Sequence, residues 1–586
     1  MKRGPRTKGV QFHASPVLAI KLPAWRSRFV VFLLFAGFAA LVARALWLQL
    51  FSTDFLQTQG AMRYARTLEM PATRGKITDR NGIVLASSLP AFAIWAIPED
   101  VDATPAKLAE LARLLKISDA ELKKRLSNED RKFVYLKRQL PPEIADQVDA
   151  LGLSGIHRRK EYLRHYPEGE TIAHVIGFTN VEDAWQEGIE LAWQKELAGK
   201  PGSRRVIKDR LGRVIEDVES IRVPQDGRNL VLSIDSKIQY IAFSQLKEAV
   251  EKQKAKAGAI VVIDVQTGEV LALANLPSYD PNHRDVLTGA QLRNRVITDT
   301  YEPGSTLKPF TIALAIETGR VKPETIIQTA PGKLTVGTAT ISDSHAHGAL
   351  TVEQVIQKSS NIGTAKIALQ MPAQEMWEMF TAVGLGQAPR IGFPGAVAGR
   401  VRPYKNWRPI EQVTMSYGYG LSVSLIQIAR AYSIYARDGE LVPLSFFKMP
   451  EDAPPVTGAR VISVETARKM RKMLEMATGP EGTAPQAKVV GYRVAGKTGT
   501  AHKLAGRGYA GNKYIGSFVG FAPASDPRII VAVMIDEPSA GQYFGGSVAA
   551  PVFSAVVGSA LRTLGIKPDS PFKSLIIPAD PLQESL

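Results

Sequence analysis

The decapeptide 301–310 reads Tyr-Glu-Pro-Gly-Ser-Thr-Leu-Lys-Pro-Phe, and an apolar run follows it as far as Ile316. Its Pro-Gly pair is a turn signal, so the pattern predicts a turn that leads into a buried helix. Ser305 lies at the predicted helix start, and Lys308, three residues later, shares its face. A hydroxyl beside an amine, at the positive end of a helix dipole, is typical of an activated serine nucleophile.

The Ser-x-x-Lys spacing is weak by itself, because it begins at four serines in this chain, Ser244, Ser305, Ser445 and Ser570. Two downstream motifs make the combination specific. Ser359-x-Asn361 is the only Ser-x-Asn in the sequence, and it follows a predicted helix. Lys497-Thr498-Gly499-Thr500 lies on a predicted strand.

Strand and helix patterns around these motifs predict one sheet. Strand patterns occupy both ends of the region, at 229–235, 258–274 (a hairpin), 492–500, 517–522 and 529–535. Helical patterns fill the interval, for example at 351–370, 424–438 and 464–477. Distant strands with helices between them indicate an α/β sandwich whose sheet is assembled from both ends of the domain.

The N-terminal region predicts a membrane anchor. Residues 1–28 hold seven Lys/Arg and no acid, and the apolar run 29–51 is about 23 residues long, enough to span a bilayer. The basic flank predicts a cytoplasmic N-terminus with the rest of the chain exported. The alternative is a cleaved signal peptide with a site at Ala43-Arg44-Ala45, but the arginine and the apolar residues beyond it favour the anchor.

Length, composition and charge limit the domain count, the possible metal sites and the possible partners. At 586 residues with 45% apolar residues, the chain predicts two or three globular domains. The absence of cysteine excludes disulfides and thiolate metal sites. The net charge of +17 suits anionic lipid or polymer, but no nucleic-acid motif accompanies it, so we expect no nucleic-acid partner.

The middle of the chain predicts a domain without catalytic groups. Arg80-Asn81-Gly82-Ile83 is a tight-turn signal between two apolar arms, and residues 104–128 have helical spacing. His157, His165 and His174 lack metal-ligand spacing, so we expect neither metal nor cofactor. An α+β spacer is the resulting prediction.

The three motifs resemble those of the penicillin-binding protein and serine β-lactamase superfamily. Residues 74–82, Arg-Gly-Lys-Ile-Thr-Asp-Arg-Asn-Gly, resemble the N-terminal signature of class B penicillin-binding proteins. Residues 301–309, 357–366 and 416–420 resemble the division-specific, FtsI-type branch of that class. The resemblance covers nearly the whole chain.

The resemblance implies a penicillin-binding/β-lactamase-like transpeptidase domain of α/β (α+β) class, with a central antiparallel sheet flanked by helices. It also implies an α+β pedestal domain of the dimerisation type and one transmembrane helix. The implied division is cytoplasmic tail 1–28, transmembrane helix 29–51, pedestal 60–225, transpeptidase domain 228–565 and C-terminal tail 566–586.

The resemblance also implies a catalytic set. Ser305 would attack a D-Ala-D-Ala carbonyl, and Lys308 is the candidate base, with a pKa lowered by burial and by the charge of Lys497. Ser359 would relay a proton, and Asn361 would hold the substrate amide and Lys308.

The third motif would form the substrate-binding edge. Lys497, Thr498 and Thr500 would bind the terminal carboxylate, and Gly499 would let the substrate backbone come close. Backbone N–H groups of Ser305 and Thr500 would bind the oxyanion. Strict strand alternation puts Lys497 and Thr498 on opposite faces, so both can serve only from a strand that borders the cleft edge-on.

The implied activity is septal peptidoglycan D,D-transpeptidation at the inner membrane, with the catalytic domain periplasmic. Implied partners are stem peptides, β-lactams as inhibitors, a glycosyltransferase of the FtsW type and other division proteins. The alternatives are an elongation-specific class B transpeptidase, a D,D-carboxypeptidase or β-lactamase, and a non-catalytic sensor or scaffold. A short cytoplasmic tail leaves no room for a sensor's effector domain.

Overall fold

The computed structural model describes residues 23–50, 65–128, 130–208, 214–284, 287–505 and 508–570. The chain divides into two compact units, Met1–Pro71 with Pro201–Pro224, and Ala72–Lys200 with Gln225–Leu586. Eight parts of the predicted segments lie outside the described residues, namely 1–22, Phe51, 60–64, 129, 209–213, 285–286, 506–507 and 571–586.

The first unit contains the predicted anchor. Its helix runs from Ala24 to Leu50, and none of its residues is buried. In the described part of the chain it is the one helix that is long and apolar enough to cross a membrane. An antiparallel three-stranded sheet completes the unit, in the order Ala65–Met70, Gly202–Lys208, Val214–Arg222.

The second unit begins with an α+β region. Its strands are Ile77–Thr78, Val84–Ala96, Val134–Leu140, Ile156–His165 and Leu230–Val231. Its α-helices are Pro105–Leu115, Asp119–Leu126, Pro142–Ala150, Ala173–Ile176, Gly188–Ala192 and Gln194–Leu197, with 3₁₀ turns at Pro98–Asp100 and Gly169–Thr171. The single helix predicted over 104–128 is wrong: Lys116 ends the first helix at φ 52°, and Ser118 caps the second.

The predicted turn at residues 80–83 is confirmed and joins this region to the next. Asp79 Oδ1 accepts hydrogen bonds from the backbone N–H of Asn81 and Ile83. The other oxygen of Asp79 accepts from the N–H of Ser236, and the Asn81 amide donates to Asp235. The turn is therefore fixed to the N-terminus of the next helix, where the orphan N–H groups suit a carboxylate.

The central sheet of the remaining region has five antiparallel strands. Their spatial order is Val270–Leu276, Ala257–Asp264, Ile529–Asp536, Gly508–Ala522 and Ala495–Ala505. The predicted hairpin at 258–274 and the assembly from distant segments are confirmed. The strand predicted at 229–235 does not belong to this sheet, because Leu230–Val231 pairs with Ile77–Thr78 instead. The strand Ala495–Ala505, which carries the Lys-Thr-Gly motif, lies at one edge of the sheet.

Both faces of this sheet are buried, which explains its nearly continuous apolar strands. Ile260 and Val262 pack with helices Ser236–Lys252 and Ala550–Thr563. The alternate residues, including Val261, pack on the other face against the helix Leu425–Ala431 and its neighbours. The result is a three-layer arrangement, which confirms the predicted fold class.

The other elements of this region connect and cover the sheet. Short strands pair as Ile326–Gln328 with Ala349–Thr351, Lys333–Val336 with Ala339–Ser342, and Glu440–Leu441 with Ala459–Arg460. The other α-helices are Gly289–Leu292, Arg295–Thr298, Lys308–Glu317, Val352–Lys358, Asn361–Ala368, Ala373–Ala382, Pro409–Ser416, Ser433–Ala436, Val464–Thr478 and Gly545–Val548. The 3₁₀ turns are Gly304–Leu307, Tyr404–Asn406 and Pro485–Ala487.

Candidate active site

Ser305 and Lys308 lie where a turn becomes a helix. Ser305 belongs to the 3₁₀ turn Gly304–Leu307, and Lys308 is the first residue of the α-helix that follows. Pro309 occupies the first helical turn, where its missing N–H is not needed. Lys308 Nζ lies 2.9 Å from Ser305 Oγ, and the lysine side chain is completely buried.

Ser359 bridges two lysines. It ends the helix Val352–Lys358 in the left-handed region, at φ 61°, which turns its side chain away from the helix. Lys308 Nζ lies 3.0 Å from Ser359 Oγ and donates to the Ser359 carbonyl at 2.6 Å. Lys497 Nζ donates to the same hydroxyl at 3.0 Å. The first, second and third motifs therefore meet at one hydroxyl group.

The edge position of the third motif resolves the question of strand alternation. Lys497 is fully buried, and its Nζ lies 3.2 Å from the hydroxyl of Thr498. That hydroxyl lies 3.0 Å from the hydroxyl of Thr483, in the loop after the helix Val464–Thr478. Because the strand has no neighbour on this side in the sheet, both side chains reach the same border of the site.

Asn361 is held at the margin of the cluster. Its side-chain amide donates to the carbonyl of Ser342 at 3.0 Å, and within the described residues it has no hydrogen bond to Lys308. The carboxylate of Asp343 accepts from the backbone N–H of Asn361 at 2.5 Å and from the hydroxyl of Ser360 at 2.6 Å. Asp343 thus caps the helix Asn361–Ala368 and fixes the second motif.

Glycines allow three backbone segments to approach each other beside Ser305. A Cβ atom at Gly418 would lie 2.1 Å from the carbonyl oxygen of Gly304, and one at Gly499 would lie 2.8 Å from that of Pro303. Gly304 N–H donates to the Gly418 carbonyl at 3.1 Å. The Thr500 hydroxyl accepts from the N–H of Gly545 at 3.1 Å.

The charges of the two buried lysines are coupled. Burial lowers the pKa of Lys308 well below its usual value, the charge of Lys497 lowers this pKa further, and the Asp343 carboxylate opposes the shift. Burial also lowers the pKa of Lys497 to about 7. A neutral Lys308 amine has a lone pair for the Ser305 proton, so this arrangement can activate the hydroxyl.

All eight predicted site residues lie in the described structure. Ser305, Lys308, Ser359 and Lys497 form one hydrogen-bonded cluster, which Thr498 joins through Lys497. Asn361, Gly499 and Thr500 flank it. Within the described residues, no group of three or more His, Cys, Asp or Glu side chains could hold a metal ion.

Sequence reasoning missed two groups that support this cluster, one through the second motif and one through Thr498. Asp343 lies 17 residues before Ser360 in a loop, and no periodic pattern predicts that pairing. Thr483 lies 15 residues before Thr498 in another loop. A lone acid in a Ser- and His-containing loop carries no signal of its own, since its role depends entirely on the chain fold.

Comparisons with known proteins identify the family. A family model described as the penicillin-binding protein transpeptidase domain matches residues 258–558, and one described as the penicillin-binding protein dimerisation domain matches residues 69–232. The "Probable peptidoglycan D,D-transpeptidase PenA" of Neisseria gonorrhoeae is 44% identical over 556 residues, 94% of this chain and 95% of that protein.

A second relative and a solved structure support the same family. The "Peptidoglycan D,D-transpeptidase FtsI" of Escherichia coli is 42% identical over 553 residues, 93% of each chain. The apo structure of the transpeptidase domain from Burkholderia pseudomallei penicillin-binding protein 3 is 58% identical, with a TM-score of 0.54, and covers 58% of this chain and 98% of that one. The chain therefore belongs to the class B penicillin-binding proteins, which join a dimerisation domain to a transpeptidase domain.

Proposed function

We propose that this protein is a septal peptidoglycan D,D-transpeptidase that works through an acyl-enzyme on Ser305. The observation that carries the proposal is the buried Lys308 amine, 2.9 Å from Ser305 Oγ and 3.0 Å from Ser359 Oγ. The names of the Neisseria and Escherichia relatives support the reaction, and the FtsI name supports the division role. These names favour septal transpeptidation over the elongation-specific and hydrolytic alternatives.

The proposed reaction has two steps. In the first, Ser305 Oγ loses its proton to Lys308 and attacks the penultimate D-Ala carbonyl. The C–N bond to the terminal D-Ala then breaks, and the departing D-Ala amine takes a proton through Ser359. An amine of a neighbouring stem then attacks the Ser305 ester, a new amide forms, and the proton returns to the serine. The N–H groups of Ser305 and Thr500 would stabilise the oxyanion in both steps.

The substrate carboxylate is assigned to Lys497, Thr498 and Thr500, with Gly499 providing room for the substrate backbone. Asn361, two residues after Ser359, is assigned to the substrate amide, and its hydrogen bond to Ser342 fixes its side chain. β-Lactams, which mimic the D-Ala-D-Ala carbonyl, would acylate Ser305 in the same way.

The proposed segment boundaries, membrane orientation and partners rest on the same relatives. We propose residues 1–28 as a cytoplasmic tail, 29–51 as the inner-membrane anchor, 60–225 as the pedestal, 228–565 as the periplasmic catalytic domain and 566–586 as a tail. The apolar helix Ala24–Leu50 and the basic residues before it support this orientation. An FtsW-type glycosyltransferase and other division proteins at the septum are the proposed partners.

Competition between an amine and water tests the reaction type. With a D-Ala-D-Ala stem-peptide donor and a neighbouring stem's amine, we expect the crosslinked product to exceed the hydrolysed donor in mass spectra. The matched control is the same mixture with the acceptor amine acetylated. If hydrolysis dominates in both mixtures at all acceptor concentrations, the protein is a carboxypeptidase and the transpeptidase proposal fails.

The charge of Lys497 predicts a pH dependence of ligand binding. Because its pKa lies at about 7 in the free site, the ammonium form predominates below that pH and is lost above it. The reversible complex with a carboxylate-bearing penicillin should weaken by about tenfold between pH 6 and pH 9, since a charge-assisted hydrogen bond is lost. The half-saturating concentration in stopped-flow acylation measures this.

The methyl ester of the same penicillin is the matched control for this measurement. It carries no carboxylate charge, so its half-saturating concentration should change much less over the same pH range. Equal pH dependence for acid and ester would contradict the assignment of Lys497 to the carboxylate.

A further inference from the structure

Glu302 is a buried acid three residues before the nucleophile, and the reaction scheme above gives it no role. Only 5% of its surface is exposed. Its Oε1 accepts a hydrogen bond from the backbone N–H of Gly420 at 2.7 Å. Its Oε2 is buried without a well-formed hydrogen bond among the described residues, and the Tyr509 hydroxyl lies nearby.

A buried carboxylate of this kind lowers the stability of the fold, so stability alone does not explain Glu302. An unpaired carboxylate oxygen removed from water destabilises a protein, and in the described part of the chain no cation pairs with Glu302. Burial raises the pKa of Glu302, and the Gly420 N–H and the nearby Tyr509 hydroxyl partly offset the rise. An unsatisfied buried group in a folded protein calls for an explanation, and its place beside the nucleophile suggests one.

The segment 416–423 lies alongside the nucleophile segment and is joined to it at three levels. Tyr301 and Val423 exchange two backbone hydrogen bonds, of 3.0 and 2.9 Å. Glu302 contacts Gly420 in the middle, and Gly304 N–H donates to Gly418 at the end nearest Ser305. The Glu302 carboxylate adds a side-chain link to these backbone contacts, and the Thr311 hydroxyl adds another by donating to the Ser416 carbonyl at 2.8 Å.

The same segment also reaches the strand of the third motif. The residue before Gly420 is Tyr419, whose hydroxyl lies 3.4 Å from the carbonyl oxygen of Thr500. Glu302 therefore holds the peptide N–H that follows Tyr419, and the Tyr419 hydroxyl contacts the strand. These contacts join the Ser305 turn to Thr500, the two places that supply the proposed oxyanion donors, and they supplement the direct approach of Gly499 to Pro303.

We propose that Glu302 is a positioning residue that, through Gly420 and Tyr419, sets the distance between Ser305 and the Thr500 strand. The inference rests on the proposed roles of Ser305 and Thr500. The carboxylate does not touch substrate; it holds the segment that spaces the two halves of the oxyanion site. This role needs only the acceptor oxygen Oε1, which binds the Gly420 N–H. A glutamine amide at this position should therefore preserve the role nearly as well.

The test is the rate of acylation by a fluorescent penicillin, followed to completion so that the labelled fraction and the rate are obtained separately. Glu302→Ala should lower the rate by about tenfold to a hundredfold, because a misplacement of about 1 Å costs that much in catalysis. Glu302→Gln keeps an acceptor for Gly420 and should stay within about threefold of the parent rate.

A double-mutant cycle separates positioning from general loss of structure. Tyr419→Phe removes the hydroxyl at Thr500 and should slow acylation less than Glu302→Ala does. The double variant should be no slower than Glu302→Ala alone, because residues that act through one contact chain are not additive. A merely structural Glu302 would reduce the labelled fraction while the folded molecules reacted at the parent rate.

Two results would overturn the inference: a parent-like rate in Glu302→Ala, or losses that simply multiply in the double variant. Failure of the proposed function would differ from either, because the parent protein would then carry no label at Ser305.

Discussion

Replacement of Ser305 by alanine is expected to abolish acylation by penicillin, with a loss of about 10⁶-fold, as for other serine nucleophiles whose hydroxyl is removed. The physical reason is that, within the described residues, the other hydroxyl bonded to the Lys308 amine is that of Ser359, which is shared with Lys497. Gel fluorescence and intact mass after incubation with a labelled penicillin measure the loss.

The chain provides a matched control with the same motif. Ser244 begins another Ser-x-x-Lys sequence on the helix Ser236–Lys252, where Lys247 pairs with Glu170 at the surface. Ser244→Ala should acylate at the parent rate. Retained labelling of Ser305→Ala protein at a comparable rate would remove Ser305 from the nucleophile position.

Loss of the Lys308 amine is expected to have the second largest effect. Lys308→Met should slow acylation by about 10²- to 10⁴-fold, the usual contribution of a general base. Lys308→Arg should be equally slow, because a guanidinium keeps its proton at any accessible pH. A rate within tenfold of the parent in the arginine variant would show that the side chain acts by charge rather than as a base.

The pH profile of acylation should also test whether Lys308 acts as the base. Protonated Lys308 cannot accept the serine proton, so the rate should fall as pH drops through the folded pKa of Lys308, which lies well below its usual value. Lys497→Met removes the neighbouring charge, raises the pKa of Lys308 and should move the acid limb to higher pH. Lys247→Arg is the control whose profile should not change.

Local patterns predicted the elements that carry the site but not all of their contacts. The turn before Ser305 and the hairpin at 258–274 follow from neighbours a few residues apart, and the structure contains both. The helix predicted over 104–128 is broken because Lys116 takes a left-handed conformation that helical spacing does not reveal.

The groups that surround the catalytic cluster could not be predicted, for a physical reason. Asp343, Thr483 and Glu302 act through partners that are 15 or more residues away, in other elements of the fold. Their pairing is created by the packing of the sheet edge against the helices, and only the folded chain contains that information. The edge position of Lys497 likewise depends on the order of strands from both ends of the domain.

The central claim is that the acyl group is attached to Ser305, and peptide mapping of a penicillin adduct tests it most directly. The tryptic peptide 296–320 contains a single serine, Ser305. We expect the parent protein to gain the mass of one penicillin, and tandem spectra to place that mass on this peptide at Ser305. A stoichiometric adduct on any other peptide, with 296–320 unmodified, would contradict the account.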